Sequence, residues 1–280
     1  MDLNKAIQFA QLVNEAYAIP PGDLANRAGK DISVSYGGTA VAYKVITSIY
    51  ACDLATDMNP NRGQGAVSMG LVLQSDSGDV AIAIRGTEGI LEWVHDAEFL
   101  SVKCPFLIGA GSTEDGFTSM YLSLTAAVGS GSPRLVQVLP GLPFLKPVTS
   151  VTICGHSLGG ALATLLALDV AANTKFKNPT VYTYASPRTG DHLFVSTYNQ
   201  VVPNTFRIAN RVDLVPKLPL PPLYEHVLGL FELNPIKLGI PPKLLIKLDI
   251  ACQHVLNSYL HLLSGLAAGG TISLDSKCAP

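Results

Sequence analysis

The first nineteen residues carry apolar side chains at helical spacing, with polar residues between them: Leu3, Ile7, Ala10 and Val13. Apolar residues three and four positions apart lie on one face of a helix, so the pattern predicts a first helix over residues 1–19. Residues 66–89 instead read as two β runs, "AVSMGLVLQS" and "DVAIAIRGT", joined by a turn at residues 76–79. They predict a β-hairpin whose second strand ends at Arg85-Gly86-Thr87.

Downstream, predicted strands alternate with predicted helices. Helices are predicted over 116–128, from Leu158 onward and over 254–266, and strands over 148–154, 179–187 and 204–213. Such alternation is typical of a mainly parallel sheet with helices on both faces. With no internal repeat and no low-complexity linker, we expect residues 1–280 to form a single α/β domain.

Residues 214–250 are rich in proline and apolar residues and show little periodicity. Two interpretations stay open at this point. The segment lines or covers an acyl-binding groove, or it forms irregular connections packed on the core with a short edge hairpin at 243–250.

Composition excludes some function classes. The net charge is −2 and no basic block is present, which argues against a nucleic-acid partner. Only 14% of residues are charged and the mean hydropathy is +0.32, so contact with a lipid surface is plausible. No apolar run reaches the length of a spanning helix and residues 1–19 do not resemble a signal peptide. A secreted and a cytoplasmic location both stay open, and a monomer is the default expectation.

The five cysteines do not have the spacing of a metal site: Cys52, Cys104, Cys154, Cys252 and Cys278. One or two disulfides form if the protein is exported, and the pairing stays open. Cys154, inside a predicted strand, is expected to be a small buried apolar residue.

The candidate chemistry lies at residues 155–159, Gly-His-Ser-Leu-Gly, between a predicted strand and a predicted helix. Strand, Gly-x-Ser-x-Gly and helix in this order describe a nucleophile elbow, a turn too tight for side chains at Gly155 and Gly159. The turn would place Ser157 above the edge of the sheet, beside the N–H groups at the start of the helix, where an oxyanion is stabilised.

A serine nucleophile needs a general base, and the base needs a carboxylate to orient it. Asp213, just after the strand "TFRIAN", is the best-placed acid. The candidate bases downstream of Ser157 are His192, His226, His254 and His261. Physical reasoning alone does not choose among them.

Several ordered motifs between Val72 and Leu263 resemble the class 3, fungal-lipase-type lipases of the α/β-hydrolase fold. They are "AIAIRGTEGILEWVHDAEF", "EDGFTSMYLSL", "VTICGHSLGGALATLLALD", "VYTYASPRTGDHLF", "FRIANRVDLVPKLP" and "HVLNSYLHLL". The resemblance implies a serine carboxylic ester hydrolase, with triacylglycerol lipase as the first expectation. By the same resemblance, the enzyme would act on ester or lipid substrates at an interface and would need no metal or cofactor.

The resemblance also implies roles for individual residues. Asp213 would be the triad acid and His254 the triad base, in preference to His261. The backbone N–H groups of Thr87 and Leu158 would form the oxyanion hole. One departure from the family is Glu114, which stands where the family often has histidine two residues before the Gly of its Gly-Phe motif.

Phospholipase A1 and feruloyl-type esterase remain alternatives, because fold and triad do not determine the substrate. An alternative of another class is a catalytically inactive, hydrolase-like binding module. Labelling by a fluorophosphonate would separate an enzyme from a binding module.

Residues 88–96 resemble the family's lid, whose apolar face would carry Ile90, Leu91 and Trp93. The alternative that stays open is a fixed helix with Trp93 in the core. If this segment opens against lipid, the one tryptophan of the chain should report it. We expect micelles of a non-hydrolysable ester lipid to shift the Trp93 emission of a Ser157→Ala variant and to change its access to a quencher. Unchanged fluorescence, with activity that rises smoothly through the solubility limit of the ester, would leave a fixed cleft.

Overall fold

A central sheet of eight strands organises the computed structural model, which describes residues 1–52, 65–87, 99–129, 131–235 and 250–278. The strand order is β1-β2-β3-β4-β7-β8-β9-β10, and β5 pairs with β6 in a separate two-stranded sheet. The strands are β1 Asp31–Tyr36, β2 Thr39–Cys52, β3 Ala66–Ser75, β4 Asp79–Ile84, β5 Ser101–Lys103, β6 Ser112–Glu114, β7 Ser150–His156, β8 Thr180–Tyr184, β9 Thr205–Asn210 and β10 Leu230–Leu233.

The sheet changes from antiparallel to parallel at β4. Strands β1 to β4 pair antiparallel, and β4, β7, β8, β9 and β10 pair parallel. The hairpin predicted over 66–89 is therefore present as β3 and β4. Ile84 pairs with Gly155, so the residues that follow β4 lie beside the end of β7. The carboxyl ends of the parallel strands meet at this edge.

Helices cover both faces of the sheet, as the sequence predicts. They are α1 Leu3–Tyr17, α2 Asp115–Leu122, α3 Leu135–Val138, α4 Leu158–Asn173, α5 His192–Val201, α6 Ile250–His254 and α7 Leu256–Leu266. Short 3₁₀ turns occupy Leu139–Gly141 and Val215–Lys217. Helices α1 and α7 pack on one face, and α2, α4 and α5 pack on the other. The helix α1 is buried along the apolar stripe seen in the sequence.

The observed elements differ from the predicted ones at three places. The helix predicted over 116–128 ends at Leu122. The helix predicted over 254–266 is present as α7 but begins two residues later, at Leu256, because the backbone of Val255 is not helical (φ −55°, ψ 143°) and separates it from α6, which ends at His254. Within the 214–250 segment, β10 adds a parallel strand to the sheet edge beside β9, where only irregular connections or an acyl groove were considered. The hairpin considered at 243–250 lies mostly outside the described residues.

A disulfide joins Cys252 in α6 to Cys278 near the end of the described chain. The strap formed by residues 270–278 is also fastened by hydrogen bonds to α7: the Nδ1 of His261 donates to Ile272 O (2.7 Å), and Asn257 donates to Ser273 O (3.2 Å) and accepts from Asp275 N (2.6 Å). Cys154 is fully buried in β7 as expected, and burial raises the pKa of its thiol.

No helix in the described part of the chain combines the length and the apolar character needed to cross a membrane.

The helix α4, which is buried on nearly all sides, carries the fully buried Asp169. The carboxylate accepts from Tyr121 OH (2.5 Å), Arg134 Nη1 (3.1 Å) and Asn173 Nδ2 (2.7 Å). These bonds connect α4 to α2 and to the start of α3. Three hydrogen-bond donors compensate the cost of burying this carboxylate. Without its cation, the buried charge would lower the free energy of unfolding.

We expect Arg134→Met to lower the free energy of unfolding by about 2 kcal/mol, because it leaves Asp169 buried without a positive partner. The value is below that of a fully buried pair, since the Arg134 side chain is 31% exposed. Urea unfolding measures it. Arg211→Met is the matched control, because its ion pair with Glu232 is exposed and 3.9 Å long, and it should cost less than about 0.5 kcal/mol. Equal losses in the two variants would contradict the buried-pair interpretation.

Candidate active site

Ser157 lies at the sharp turn between β7, which ends at His156, and α4, which begins at Leu158. Its backbone has φ 59° and ψ −129°, and Ala185 is the other described non-glycine residue with positive φ. A non-glycine residue in this region is strained and persists only when the surrounding structure holds it. One such hold is the hydrogen bond from Ser157 N–H to Tyr184 O (2.9 Å).

The two glycines that flank the turn are required by close backbone contacts. A Cβ on Gly155 would lie 2.1 Å from Gly159 O, and a Cβ on Gly159 would lie 2.4 Å from Ile84 O. Both distances are far below van der Waals contact with a backbone atom. The structure thus has the tight turn that the sequence predicts at Gly155 and Gly159.

The structure brings Ser157, His254 and Asp213 into one chain of hydrogen bonds. Ser157 Oγ lies 2.8 Å from His254 Nε2, and His254 Nδ1 lies 2.9 Å from Asp213 Oδ2. The three residues are 1%, 4% and 0% exposed. Because a carboxylate only accepts, His254 Nδ1 carries the proton, which leaves Nε2 able to accept from the serine hydroxyl.

The buried carboxylate of Asp213 has two further donors. Tyr259 OH donates to Oδ2 (2.8 Å) and Val215 N–H donates to Oδ1 (3.0 Å). Tyr259 OH in turn accepts from Asn210 N–H (3.0 Å). Burial, followed by the charge of Asp213, raises the pKa of Tyr259 well above its ordinary value, so the phenol stays a donor. These donors fix the orientation of the carboxylate that holds His254.

The other three candidate histidines have other partners. His192 is exposed and its Nδ1 lies 3.2 Å from Glu225. His226 Nε2 donates to Pro216 O (2.6 Å), and His261 Nδ1 donates to Ile272 O. Of the four candidate histidines, His254 is the one whose ring lies within hydrogen-bond distance of Ser157 Oγ.

The turn after β4 lies directly beside Ser157. A Cβ on Gly86 would lie 2.9 Å from Ser157 Cβ and 2.7 Å from Tyr17 OH, so this turn cannot carry a larger residue without displacement. Thr87 follows Gly86 and is exposed, and Leu158 is the first residue of α4. Thr87 and Leu158, whose backbone N–H groups are predicted to bind an oxyanion, thus both lie in segments next to Ser157.

The remaining positions singled out in the sequence are Glu114 and the residues of the expected lid. Glu114 caps α2, where its carboxylate accepts from Phe117 N–H (2.7 Å), and burial raises its pKa. Ile90, Leu91 and Trp93, predicted to line a lid, lie outside the described residues. Among the residues that are described, no group of three His, Cys, Asp or Glu side chains is placed to hold a metal ion.

Sequence reasoning missed the residues that support the three-residue chain: Tyr17, His156, Asn210 and Tyr259. His156 was visible only as the variable position of the Gly-x-Ser-x-Gly motif. Tyr17 reaches His156 across 139 positions of sequence, and no pattern in α1 signals it. Long-range contacts of this kind become visible only once the fold is known.

Comparison with known proteins was made on sequence and on structure. The family model described as Lipase (class 3) matches residues 81–222. Phospholipase A1-II 7 of Oryza sativa subsp. indica is 30% identical over 92% of this chain and 73% of its own length. The chloroplastic phospholipase A1-Igamma1 of Arabidopsis thaliana is 32% identical over 69% of this chain, which spans only 44% of that protein.

Fungal lipases share the fold at lower identity. A crystal structure of a fungal lipase aligns over 82% of this chain and 79% of its own, with a TM-score of 0.61 and 23% identity. A mutant form of MDLA from Penicillium cyclopium aligns over 82% and 78% of the two chains, with a TM-score of 0.55 and 21% identity. At these identities the match concerns the fold alone.

His226 should make the fold sensitive to acid. Burial, and then the positive charge of Arg207, lowers its pKa from 6.5 to about 3. Between these values the unfolded chain binds a proton that the folded protein does not, so the free energy of unfolding should fall as the pH falls.

We expect His226→Gln, which cannot ionise but keeps a donor for Pro216 O, to lose about 2–2.5 kcal/mol less stability than the wild type between pH 7 and 4.5. Urea unfolding at the two pH values measures the difference. His192→Gln, at an exposed position, is the control and should follow the wild type. If the free energy of unfolding of His226→Gln falls with pH as much as that of the wild type, the lowered pKa of His226 is not the cause.

Proposed function

The chain belongs to the class 3 lipase family and is a carboxylic ester hydrolase, and on this premise we propose that Ser157, His254 and Asp213 are its catalytic triad. The observation that carries the proposal is the buried chain of hydrogen bonds, 2.8 Å from serine to histidine and 2.9 Å from histidine to aspartate. The first distance suits a base that takes a proton from its nucleophile, and the second suits a carboxylate that orients the base.

In the first half of the reaction, Ser157 Oγ attacks the ester carbonyl carbon while His254 Nε2 takes the hydroxyl proton. The histidine becomes an imidazolium, which the carboxylate of Asp213 stabilises. When the tetrahedral intermediate collapses, the bond to the alcohol breaks and His254 returns the proton to the leaving oxygen. The acyl group remains on Ser157 as an ester.

The negative charge on the carbonyl oxygen needs donors that are in place before the reaction. We assign this role to the backbone N–H groups of Leu158 and Thr87. Leu158 begins α4, so its N–H has no acceptor within the helix and lies at the positive end of the helix dipole. Thr87 follows the turn that packs against Ser157. Donors of this kind stabilise the transition state by about 3–4 kcal/mol each.

In the second half, water replaces the alcohol. His254 Nε2 takes a proton from water as its oxygen attacks the acyl carbon, and the proton passes to Ser157 Oγ as the acid leaves. The products are one alcohol and one carboxylic acid per ester cleaved. Every proton is moved by a residue of this chain.

We propose glycerophospholipid as the substrate, with cleavage of the sn-1 acyl ester. The proposal is supported by relatives that are named phospholipase A1 and that match 92% and 69% of this chain. The description of the family as class 3 lipases supports triacylglycerol, the first expectation from the sequence, as the second candidate. The triad itself accepts either, because the carbonyl chemistry is the same.

The triad assignment predicts a distinct pattern of inactive variants. Ser157→Ala and His254→Ala should each lower kcat by roughly three to six orders of magnitude, whereas His261→Ala should lower it less than about tenfold. A soluble short-chain ester and labelling by a fluorophosphonate provide the two measurements. His261 is the matched control, because it fastens the strap at Ile272 and does not face Ser157. A dead His261→Ala with an active His254→Ala would overturn the assignment, and a wild type that is never labelled would favour a binding module.

Substrate preference is tested with a phosphatidylcholine that carries palmitate at sn-1 and oleate at sn-2. We expect free palmitate to be released first, and trioleoylglycerol to be hydrolysed more slowly under the same interfacial conditions. Ser157→Ala serves as the blank. Release of oleate from trioleoylglycerol without release of palmitate would support the neutral-lipid alternative. Turnover of feruloyl esters alone would support the esterase alternative.

A further inference from the structure

His156 is a buried imidazole that the triad does not use. It stands between Gly155 and Ser157 in the chain, is 3% exposed, and its ring centroid lies 4.8 Å from that of His254. Its Nε2 lies 2.8 Å from His254 O, and its Nδ1 lies 2.8 Å from Tyr17 OH. One side chain thus contacts the backbone of the catalytic base and a residue of the first helix.

The direction of each hydrogen bond can be assigned. A carbonyl oxygen only accepts, so His156 Nε2 carries a hydrogen and donates to His254 O. In the neutral ring Nδ1 then accepts from Tyr17 OH, whose oxygen in turn accepts from Gly86 N–H (2.9 Å). Burial, followed by the charge of His254, holds the pKa of His156 well below its ordinary value, which agrees with the neutral ring.

The assigned bonds form one line from Gly86 N–H through Tyr17 and His156 to the carbonyl of His254. One end is the turn that carries Thr87, and the other end is the base. The middle residue, His156, is covalently next to Ser157. The line therefore touches all three parts of the proposed apparatus: the nucleophile, the base and the oxyanion turn.

His254 needs such support because its own helix is short. The helix α6 has five residues, and the carbonyl groups at a helix end have no partner within the helix. Three consecutive carbonyls are instead held by side chains of other elements: Cys252 O by Ser258 Oγ (2.5 Å), Gln253 O by Asn210 Nδ2 (3.0 Å) and His254 O by His156 Nε2 (2.8 Å).

We propose that His156 is a positioning residue for the ester hydrolysis, which holds the backbone of His254 at a fixed place relative to Ser157. The inference rests on the proposed function of the triad. It differs from a general structural role because it assigns the effect to one bond, Nε2–H to His254 O. Displacement of a catalytic group by about 1 Å costs on the order of a hundredfold in rate.

Two variants separate the two nitrogen atoms of the ring. In His156→Gln the amide nitrogen stands as many bonds from Cβ as Nε2 does, so it can donate to His254 O. In His156→Asn the amide oxygen takes the place of Nδ1, and the amide nitrogen is one bond too short to reach His254 O. Both remove the aromatic ring and leave a neutral amide. His192→Asn, the same change at an exposed position, is the control.

We expect His156→Asn to lower kcat on a soluble ester by about 30-fold or more with KM within about twofold of the wild type. His156→Gln should recover kcat to within about fivefold of the wild type. Rates are divided by the fraction of enzyme that is folded, measured by thermal unfolding. Equal losses in the two variants, or losses that vanish after this correction, would overturn the proposal.

Tyr17→Phe tests the same line of hydrogen bonds without changing His156, and so still applies if the His156 variants do not fold. Alone it should lower kcat by about threefold to tenfold, because the hydroxyl that meets both Gly86 and His156 is gone. In the His156→Asn background it should lower kcat by less than it does alone, and strictly multiplying effects would overturn the coupling. Wild-type turnover, lost in Ser157→Ala, tests the proposed function in the same assay. An unchanged kcat in His156→Asn would overturn the positioning role alone.

Discussion

At Ser157 the backbone must pass from a strand into a helix within one residue, at φ 59°. This constraint decides what can surround the serine. The turn needs backbone contacts that only glycine permits at Gly155 and Gly159. It also places the serine directly before Leu158, the first residue of α4. The helix α4 that follows is buried on nearly all sides. Its packing holds the strained backbone of Ser157 in place.

Three tyrosine hydroxyls make long-range connections to buried polar side chains, two of them beside this turn and one near the other end of α4. Tyr17 reaches His156, Tyr121 reaches Asp169, and Tyr259 reaches Asp213. A phenol suits the task because it extends far from the backbone through an apolar ring and both donates and accepts at its tip. A buried carboxylate or imidazole without such a partner would cost several kcal/mol. The polar groups of the site are thus tolerated in the core because distant elements bring donors to them.

Local features of the fold and of the site were predictable, because they rest on short-range physics. The hairpin of β3 and β4, the strand and helix around Ser157 and the alternation of strands and helices follow from periodicity and turn residues. The edge strand β10 was not predictable, because a proline-rich apolar segment lacks the alternation of a typical strand.

The preference for His254 as the base came from the family resemblance, because reasoning from the residues alone left four histidines open. His254 and His261 stand in one motif, and only the packing of α6 and α7 places the first against Ser157 and the second against the strap. The partner of each histidine depends on Val255, whose extended backbone separates the two helices. No residue pattern predicted this break. Nor could any pattern predict that Tyr17 and His156 would meet.

The strap at the end of the described chain has two kinds of fastening, and they respond differently to the surroundings. The bonds from Asn257 and His261 are indifferent to thiol chemistry, whereas the link between Cys252 and Cys278 exists only where cysteines are oxidised. Cys252 is two residues from His254. The redox conditions in the expression host therefore decide whether a covalent bond forms close to the base. Preparations from a reducing cytosol and from an oxidising compartment are therefore two chemically different samples of this enzyme.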